Sequence, residues 1–221
     1  MAGRRRVAFV TIGQSPRDDM VPEMLTWIGP GIDPLEVGAL DGLGREAIAR
    51  LRPVAGDHHL VSLLQDGAEV VIGKAWVQER LKTIMADLDA EDPFLVVLLC
   101  TGHFDGVRSR ALMIESQRIV DHAVDALTED GRSLGVMLPI EEQIPEFHAK
   151  ATRARSVVYA HASPYSDDRF DEAARELAGT DLIVMHCMGY TEAMRRRVAD
   201  VSGRPVLLAR RLVAGAIAQL L

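Results

Sequence analysis

The chain holds two cysteines, Cys100 and Cys187, and both close the same phrase. Residues 95–102 read Leu-Val-Val-Leu-Leu-Cys-Thr-Gly, and residues 182–189 read Leu-Ile-Val-Met-His-Cys-Met-Gly. Each is an apolar run of strand character ending in Cys-x-Gly. In an α/β protein the C-terminal end of a buried strand is where ligands bind. Two thiols at such ends suit proton transfer at carbon, since a thiolate removes a proton and a thiol returns one. Glycine after each cysteine removes side-chain bulk where a ligand must approach the backbone, and the adjoining amides can hold a carboxylate. A helix N-terminus behind each loop is expected to favour the thiolate over a thiol with a reference pKa of about 8.5. The competing reading is a small buried hydrophobe, the usual fate of a cysteine in a strand. Equivalent placement of both cysteines in two copies of one phrase favours chemistry.

Other residues gather at the same kind of edge. Thr11-Ile12-Gly13-Gln14-Ser15-Pro16-Arg17 follows the first apolar run and offers an amide at Gln14, a hydroxyl at Ser15 and a guanidinium at Arg17. The planar arginine fork matches a carboxylate, so Ser15 and Arg17 are expected as substrate anchors, against a solvated surface charge for Arg17. Thr101, Gly102, Met188 and Gly189 are expected as loop donors, and Tyr190 as a wall of the same site. Lys74, one of three lysines, begins a helix and is a further candidate for substrate binding; nothing around it resembles a pyridoxal phosphate site. His103 and His186 flank the cysteines, which raises a metal reading. Adjacent strand residues point to opposite faces, however, and neither copy has a familiar zinc spacing. No G-x-G-x-x-G fingerprint is present. The expectation is therefore no metal and no cofactor.

These residues need a scaffold, and the pattern supplies one. Residues 7–12 form a β-rich run that breaks at Gly13 and Pro16, with a helix start from Asp18 to Leu25. Residues 59–64 and 68–72 flank Gln65-Asp66-Gly67, whose Asp-Gly suits the positive φ of a tight turn. Val77, Leu81, Ile84, Met85 and Leu88 recur at helical spacing over 75–88. A strand at 94–99 is followed by helix 116–127, strand 134–138, helix 141–151, strand 156–160, helix 171–177 and strand 182–186. Helix 191–201, strand 205–208 and helix 212–221 complete the series. Alternation of this kind predicts an α/β fold with mainly parallel sheets and helices on their faces. Cys100 and Cys187 lie 87 residues apart, about one compact lobe, which predicts two pseudo-symmetric lobes. The expected division is residues 1–105 plus 206–221 for one lobe and 106–205 for the other, with the active site in the cleft between them.

Of the 221 residues, 48% are hydrophobic and 26% charged, an ordinary globular composition, and the net charge of -7 disfavours nucleic acid or an anionic membrane as partner. The basic start at Arg4-Arg5-Arg6 precedes an apolar stretch too short for a signal peptide, and no run is long enough to span a bilayer. Two cysteines without framework spacing fit a reducing cytoplasm. The expected partner is a small molecule, and a homo-oligomer is compatible with the sequence.

The motif at 11–17, the segment Gly135-Val136-Met137-Leu138-Pro139-Ile140-Glu141-Glu142, and residues 181–190 with Pro205-Val206-Leu207-Leu208 resemble the AroM family, itself similar to the aspartate/glutamate racemase superfamily. The resemblance covers essentially the whole chain. It implies two Rossmann-like lobes, an active site between them and no need for pyridoxal phosphate or metal. That superfamily includes amino-acid and hydantoin racemases, maleate isomerase and arylmalonate decarboxylase, and all but the last use a cysteine on each lobe. Cys100 and Cys187 match those positions. The amino-acid racemases tend to read Cys-Asn-Thr and Cys-Thr-His there, whereas Cys187-Met188-Gly189 is similar to the Cys-x-Gly loops of the hydantoin racemase and decarboxylase branches. The resemblance thus implies a cofactor-independent racemase or epimerase with Cys100 and Cys187 as acid and base, on a small carboxylated or cyclic amide substrate. Two alternatives stand beside it: a decarboxylase or cis-trans isomerase using Cys187 alone, and a non-catalytic protein that binds a small ligand.

Overall fold

Three runs, residues 95–98, 133–138 and 182–185, apolar but for Ser133, are buried along their whole length, as inner strands of a sheet covered on both faces must be. The structure, a computed structural model, describes residues 4–148, 153–166 and 168–221. The chain divides into two units, one running up to Gln117 and resuming at Ala214, the other Arg118–Val213.

In the first unit β1 (Arg5–Thr11), α1 (Val21–Ile28), β2 (Ile32–Gly38) and α2 (Arg45–Ala49) precede a hairpin of β3 (His59–Leu63) and β4 (Glu69–Gly73). Then come α3 (Lys74–Glu91), β5 (Leu95–Leu98), β6 (Leu112–Glu115) and the first residues of α4 (Ser116–Thr128), which carries the chain into the second unit. There β7 (Ser133–Leu138), α5 (Gln143–His148), β8 (Ser156–His161), α6 (Phe170–Leu177), β9 (Leu182–Met185), α7 (Glu192–Ser202) and β10 (Val206–Leu208) lead to α8 (Ala209–Ala218), which crosses back at Val213. The expected helix at 141–151 begins at Gln143, and its residues 149–151 lie outside the described residues.

The sheets are parallel and ordered β2-β1-β5-β6 and β10-β9-β7-β8. In the first unit the chain reverses its lateral direction between β1 and β5, where Val10 pairs with Leu98. In the second it does so between β7 and β9, where Met137 pairs with Met185. The crevice beyond the C-terminal ends of such strands is where open α/β sheets bind ligands. Cys100 follows β5 and Cys187 follows β9, one at each reversal.

The first unit's core packs Val10, Leu81, Ile84, Met85, Val96 and Leu98. In the second, Phe170, Ala173, Ala174, Leu177, Ile183, Val184 and Val198 are buried, and the Asp181 carboxylate ties the starts of β7 and β9 by accepting from the Ser133 amide and hydroxyl, each at 2.8 Å. Those bonds, chiefly the amide's, hold Asp181 below the usual carboxylate range. Among the described residues no helix is long and apolar enough to cross a membrane.

Three elements escape the sequence pattern. β2 is an edge strand interrupted by Pro34, a residue tolerated there because one side of the strand needs no ladder bond. α2 spans five residues, and β6, an edge strand of four, runs directly into α4. β6 pairs with β5, and the first unit takes in the chain to Gln117 while the second runs to Val213.

Candidate active-site loops

After β5 the Cys100 amide turns back to the Leu98 carbonyl at 2.9 Å, and the Gly102 amide donates to Cys100 Sγ at 3.3 Å. After β9 the Gly189 amide donates to Cys187 Sγ at 3.4 Å. The two Cys-x-Gly segments thus make the same small turn, with an N–H aimed at sulfur. A donor in that place is worth more to an anionic sulfur than to a neutral thiol. Cys100 is 8% exposed, Cys187 is half-buried, and neither is in a disulfide.

Past the turn the loops differ. Cys187 leads into α7, whose N-cap Thr191 accepts from the Met194 amide at 3.2 Å. Cys100 leads instead through residues 101–111 into β6. The sequence pattern predicts a helix N-terminus behind each loop; only the Cys187 loop feeds a helix directly, because the crossover from β5 to β6 contains none. The partial positive charge of a helix start therefore lies on the Cys187 side.

Side chains behind the Cys187 loop fix its shape. Arg210, fully buried at 0% exposure, donates from Nε to the Met188 carbonyl at 2.9 Å and from Nη2 to the Gly189 carbonyl at 3.0 Å. The Tyr190 hydroxyl donates to the Ala162 carbonyl at 2.8 Å, and its ring meets Phe170 edge-on at 6.0 Å. Tyr190 and Met188 are both buried, which makes them parts of the lobe's packing; Met188 serves the loop through its backbone.

Glu192 opens α7 and accepts from Arg195 at 2.7 and 2.9 Å and from Arg196 at 3.2 Å, with Arg211 at 3.5 Å. The Arg195 bonds, above all, pull its pKa down from 4.5 to about 2. A lowered carboxylate contributes stability that is present above its unfolded value and lost as pH falls toward the folded one. Glu192→Gln is therefore expected to lower stability at pH 7 by about 1–2 kcal/mol after allowance for solvent screening of its partners. The deficit should shrink between pH 4.5 and about 2, as read by chemical denaturation of both proteins across that range. A deficit unchanged at acid pH would assign it to packing.

The segment after β1 is pinned by carboxylates of its own chain. Arg17, expected as a substrate anchor, is buried and donates from Nε and Nη2 to the two Asp19 carboxylate oxygens at 2.7 and 2.8 Å, with Nη1 on Thr11 Oγ1 at 3.0 Å. Its fork is filled, so the arginine frames the loop. Ser15 donates from its amide and hydroxyl to Asp41 at 2.7 and 2.6 Å. The Gln14 side chain accepts from the Gln65 amide at 2.9 Å, and Gln65 Nε2 donates to the Ser15 carbonyl. Lys74, Thr101 and Gly102 are half-buried.

The flanking histidines part company. His103 is exposed beside Asp105 at 3.0 Å, while His186 is buried, edge-on to Phe147 at 4.4 Å and 3.8 Å from Asp121. Among the described residues no three His, Cys, Asp or Glu side chains converge to hold a metal ion.

Sequence reasoning passes over Arg210, Asp41 and Tyr165, all of which shape these loops. For Arg210 a signal exists, since it lies two residues past the end of the last strand at the ligand-binding edge of a sheet. Asp41 and Tyr165 lie in turns that carry no periodicity.

The family model described as AroM protein matches residues 7–221. No curated protein matches. Among solved structures, maleate cis-trans isomerase from Nocardia farcinica, captured with a covalently bound succinylcysteine intermediate, is 17% identical with a TM-score of 0.58, covering 98% of this chain and 92% of that one. Allantoin racemase from Pseudomonas fluorescens is 11% identical with a TM-score of 0.55, over 97% and 90%. Arylmalonate decarboxylase is 13% identical with a TM-score of 0.55, over 96% and 92%. The shared fold is the racemase-like one of two α/β lobes.

Proposed function

The chain belongs to the AroM family, and from that membership and its paired Cys-x-Gly turns we propose that it is a cofactor-independent racemase or epimerase of a small carboxylated or cyclic amide substrate. The observation that carries this reading is the repeated N–H···S turn at topologically equivalent strand ends. Cys187, with its loop feeding α7, is the base in the forward direction: its thiolate takes the proton next to a carbonyl, the C–H bond breaks and an S–H bond forms. The electron pair moves onto the carbonyl oxygen as an enolate. Cys100, as a thiol, delivers its proton to the opposite face of the same carbon, and the reverse reaction exchanges the roles. Such a carbon acid is far weaker than a thiol, so the amides of Thr101 and Met188 stabilise the enolate or its carboxylate, at about 3 kcal/mol for each well-placed donor, while those of Gly102 and Gly189 serve the sulfur atoms. Gln14 to Arg17 frame the neighbouring loop, and Lys74 contributes substrate binding from the start of α3.

A second reading uses Cys187 alone, as nucleophile or proton donor in a decarboxylase or cis-trans isomerase. The asymmetry between the loops favours it, as does the succinylcysteine seen in the Nocardia isomerase. Incubation with pooled small carboxylates and hydantoins in heavy water tests both readings. Racemisation adds one deuterium to the recovered substrate. Decarboxylation adds it to a product that has lost carbon dioxide. Ligand-dependent thermal stabilisation with no deuterium in any compound would instead support the third reading, a binding protein.

A further inference from the structure

The peptide group between Met188 and Gly189 has a cation at one end and sulfur at the other. Its oxygen accepts from Arg210 Nε at 2.9 Å, and its N–H donates to Cys187 Sγ at 3.4 Å. The two ends of a trans peptide point in opposite directions, so guanidinium, peptide and sulfur form one chain of donors. The second arginine bond, Nη2 to the Gly189 carbonyl at 3.0 Å, fixes the next peptide and prevents the first from rotating. We propose that Arg210 is a positioning residue that sets the charge state of Cys187 through this peptide group.

The physical basis is polarisation. A cation on the carbonyl oxygen draws electron density toward it and makes the N–H a stronger donor, and linked hydrogen bonds in a water-poor interior reinforce one another. A stronger donor favours the thiolate, the charged form, over the thiol. The location of Arg210 supports a role of this kind. It is the second residue of α8, where a positive charge meets the positive end of the helix dipole, and it is a fully buried side chain. A helix start has no intrinsic use for a buried cation, whereas two carbonyls of the Cys187 loop do.

Other charged or titratable groups also lie around this loop. His186 lies against Phe147 and Asp121 behind the strand, and the Tyr190 hydroxyl is on Ala162. His161 meets Arg169, and Glu192 is ringed by Arg195, Arg196 and Arg211. Tyr165 places its hydroxyl beside Gly189. Arg210 is joined to Sγ through a single peptide.

The catalytic meaning of this coupling rests on Cys187 as a reacting group, but its test needs no substrate. Iodoacetamide alkylation, followed residue by residue by peptide mass spectrometry across pH 5 to 10, gives a midpoint for each cysteine in the same molecule. Arg210→Gln keeps a donor without charge, and Arg210→Met fills the volume with an apolar chain. In either, the Cys187 midpoint is expected to rise by about one unit, a tenfold fall in thiolate fraction at neutral pH. The Cys100 midpoint should stay in place, and Arg210→Lys should hold Cys187 within about 0.3 unit of the parent. An unmoved Cys187 in a folded neutral variant, or a Cys100 that moves equally, would overturn the proposal. So would failure of both neutral variants to fold, since Arg210 would then be a strut for the lobe. A protein whose Cys187 follows Arg210 but which exchanges no substrate would leave this coupling intact and remove the racemase reading.

Discussion

Replacing Cys187 by alanine is expected to reduce deuterium uptake into substrate by about 10³-fold, the middle of the range that one positioned proton-transfer group supplies. Cys100→Ala is the more informative partner. If two thiols serve one carbon, losing Cys100 stops interconversion, because no group remains to protonate the far face. Cys187 still removes and returns the proton on its own side, so one enantiomer should go on exchanging with solvent while its configuration is kept. Chiral chromatography with mass detection separates the two outcomes in a single incubation. Loss of interconversion with retained exchange identifies a two-base racemase. Conversion at near the parent rate in Cys100→Ala would sink that mechanism and leave Cys187 as sole reacting group. The asymmetry of the loops gives the expected direction: the variant lacking Cys100 is the one that keeps partial chemistry, because α7 follows Cys187 and a β-strand follows Cys100.

The parts of this protein legible in the sequence are those fixed by burial. Strands β5 and β9 are apolar throughout, and β7 is so from Leu134 onward, since both sheet faces are covered, and α3 shows its helix through Val77, Leu81, Ile84, Met85 and Leu88 because one face alone meets the core. The hairpin declares itself through Asp66-Gly67, where Gly67 takes a φ of +82° that few other residues accept. Edge elements carry no such mark: β2 contains a proline, and β6 is too short to establish a period. The loops show the same contrast. Cys-x-Gly can be found by its repetition, but the residues that hold it are remote in sequence. Even Asp19, only two residues away, fills the Arg17 fork in a way that residue type does not announce, since type gives a side chain's capacity for bonding and the fold decides who uses it. Nothing local to Cys187 announces Arg210.

That dependence on remote neighbours predicts different outcomes for the two glycines of the repeat. An alanine at 189 would place its Cβ 2.7 Å from the Tyr165 hydroxyl and 2.8 Å from Cγ of the buried Pro164, distances that real contacts do not reach. At 102 the nearest atoms are Leu60 Cδ2 and two carbons of the Phe104 ring, all at 3.3 Å, a crowding that a few tenths of an ångström relieves. Gly189→Ala must therefore displace the Tyr165 and Pro164 side chains or move the backbone that supplies both the donor to Cys187 Sγ and an acceptor to Arg210, and loses the brace on that loop in either case. A displacement near 1 Å at reacting groups costs about 10²-fold in rate, and overpacking of this kind costs about 1–3 kcal/mol of stability. Gly102→Ala should stay within about tenfold and about 1 kcal/mol of the parent, the range of a tolerated small-to-large change. Calorimetric melting of both variants, with iodoacetamide midpoints for each cysteine, measures the contrast without any knowledge of the substrate. Equal losses would show that the Cys187 loop yields as readily as the Cys100 loop, and that Pro164 and Tyr165 do not brace it.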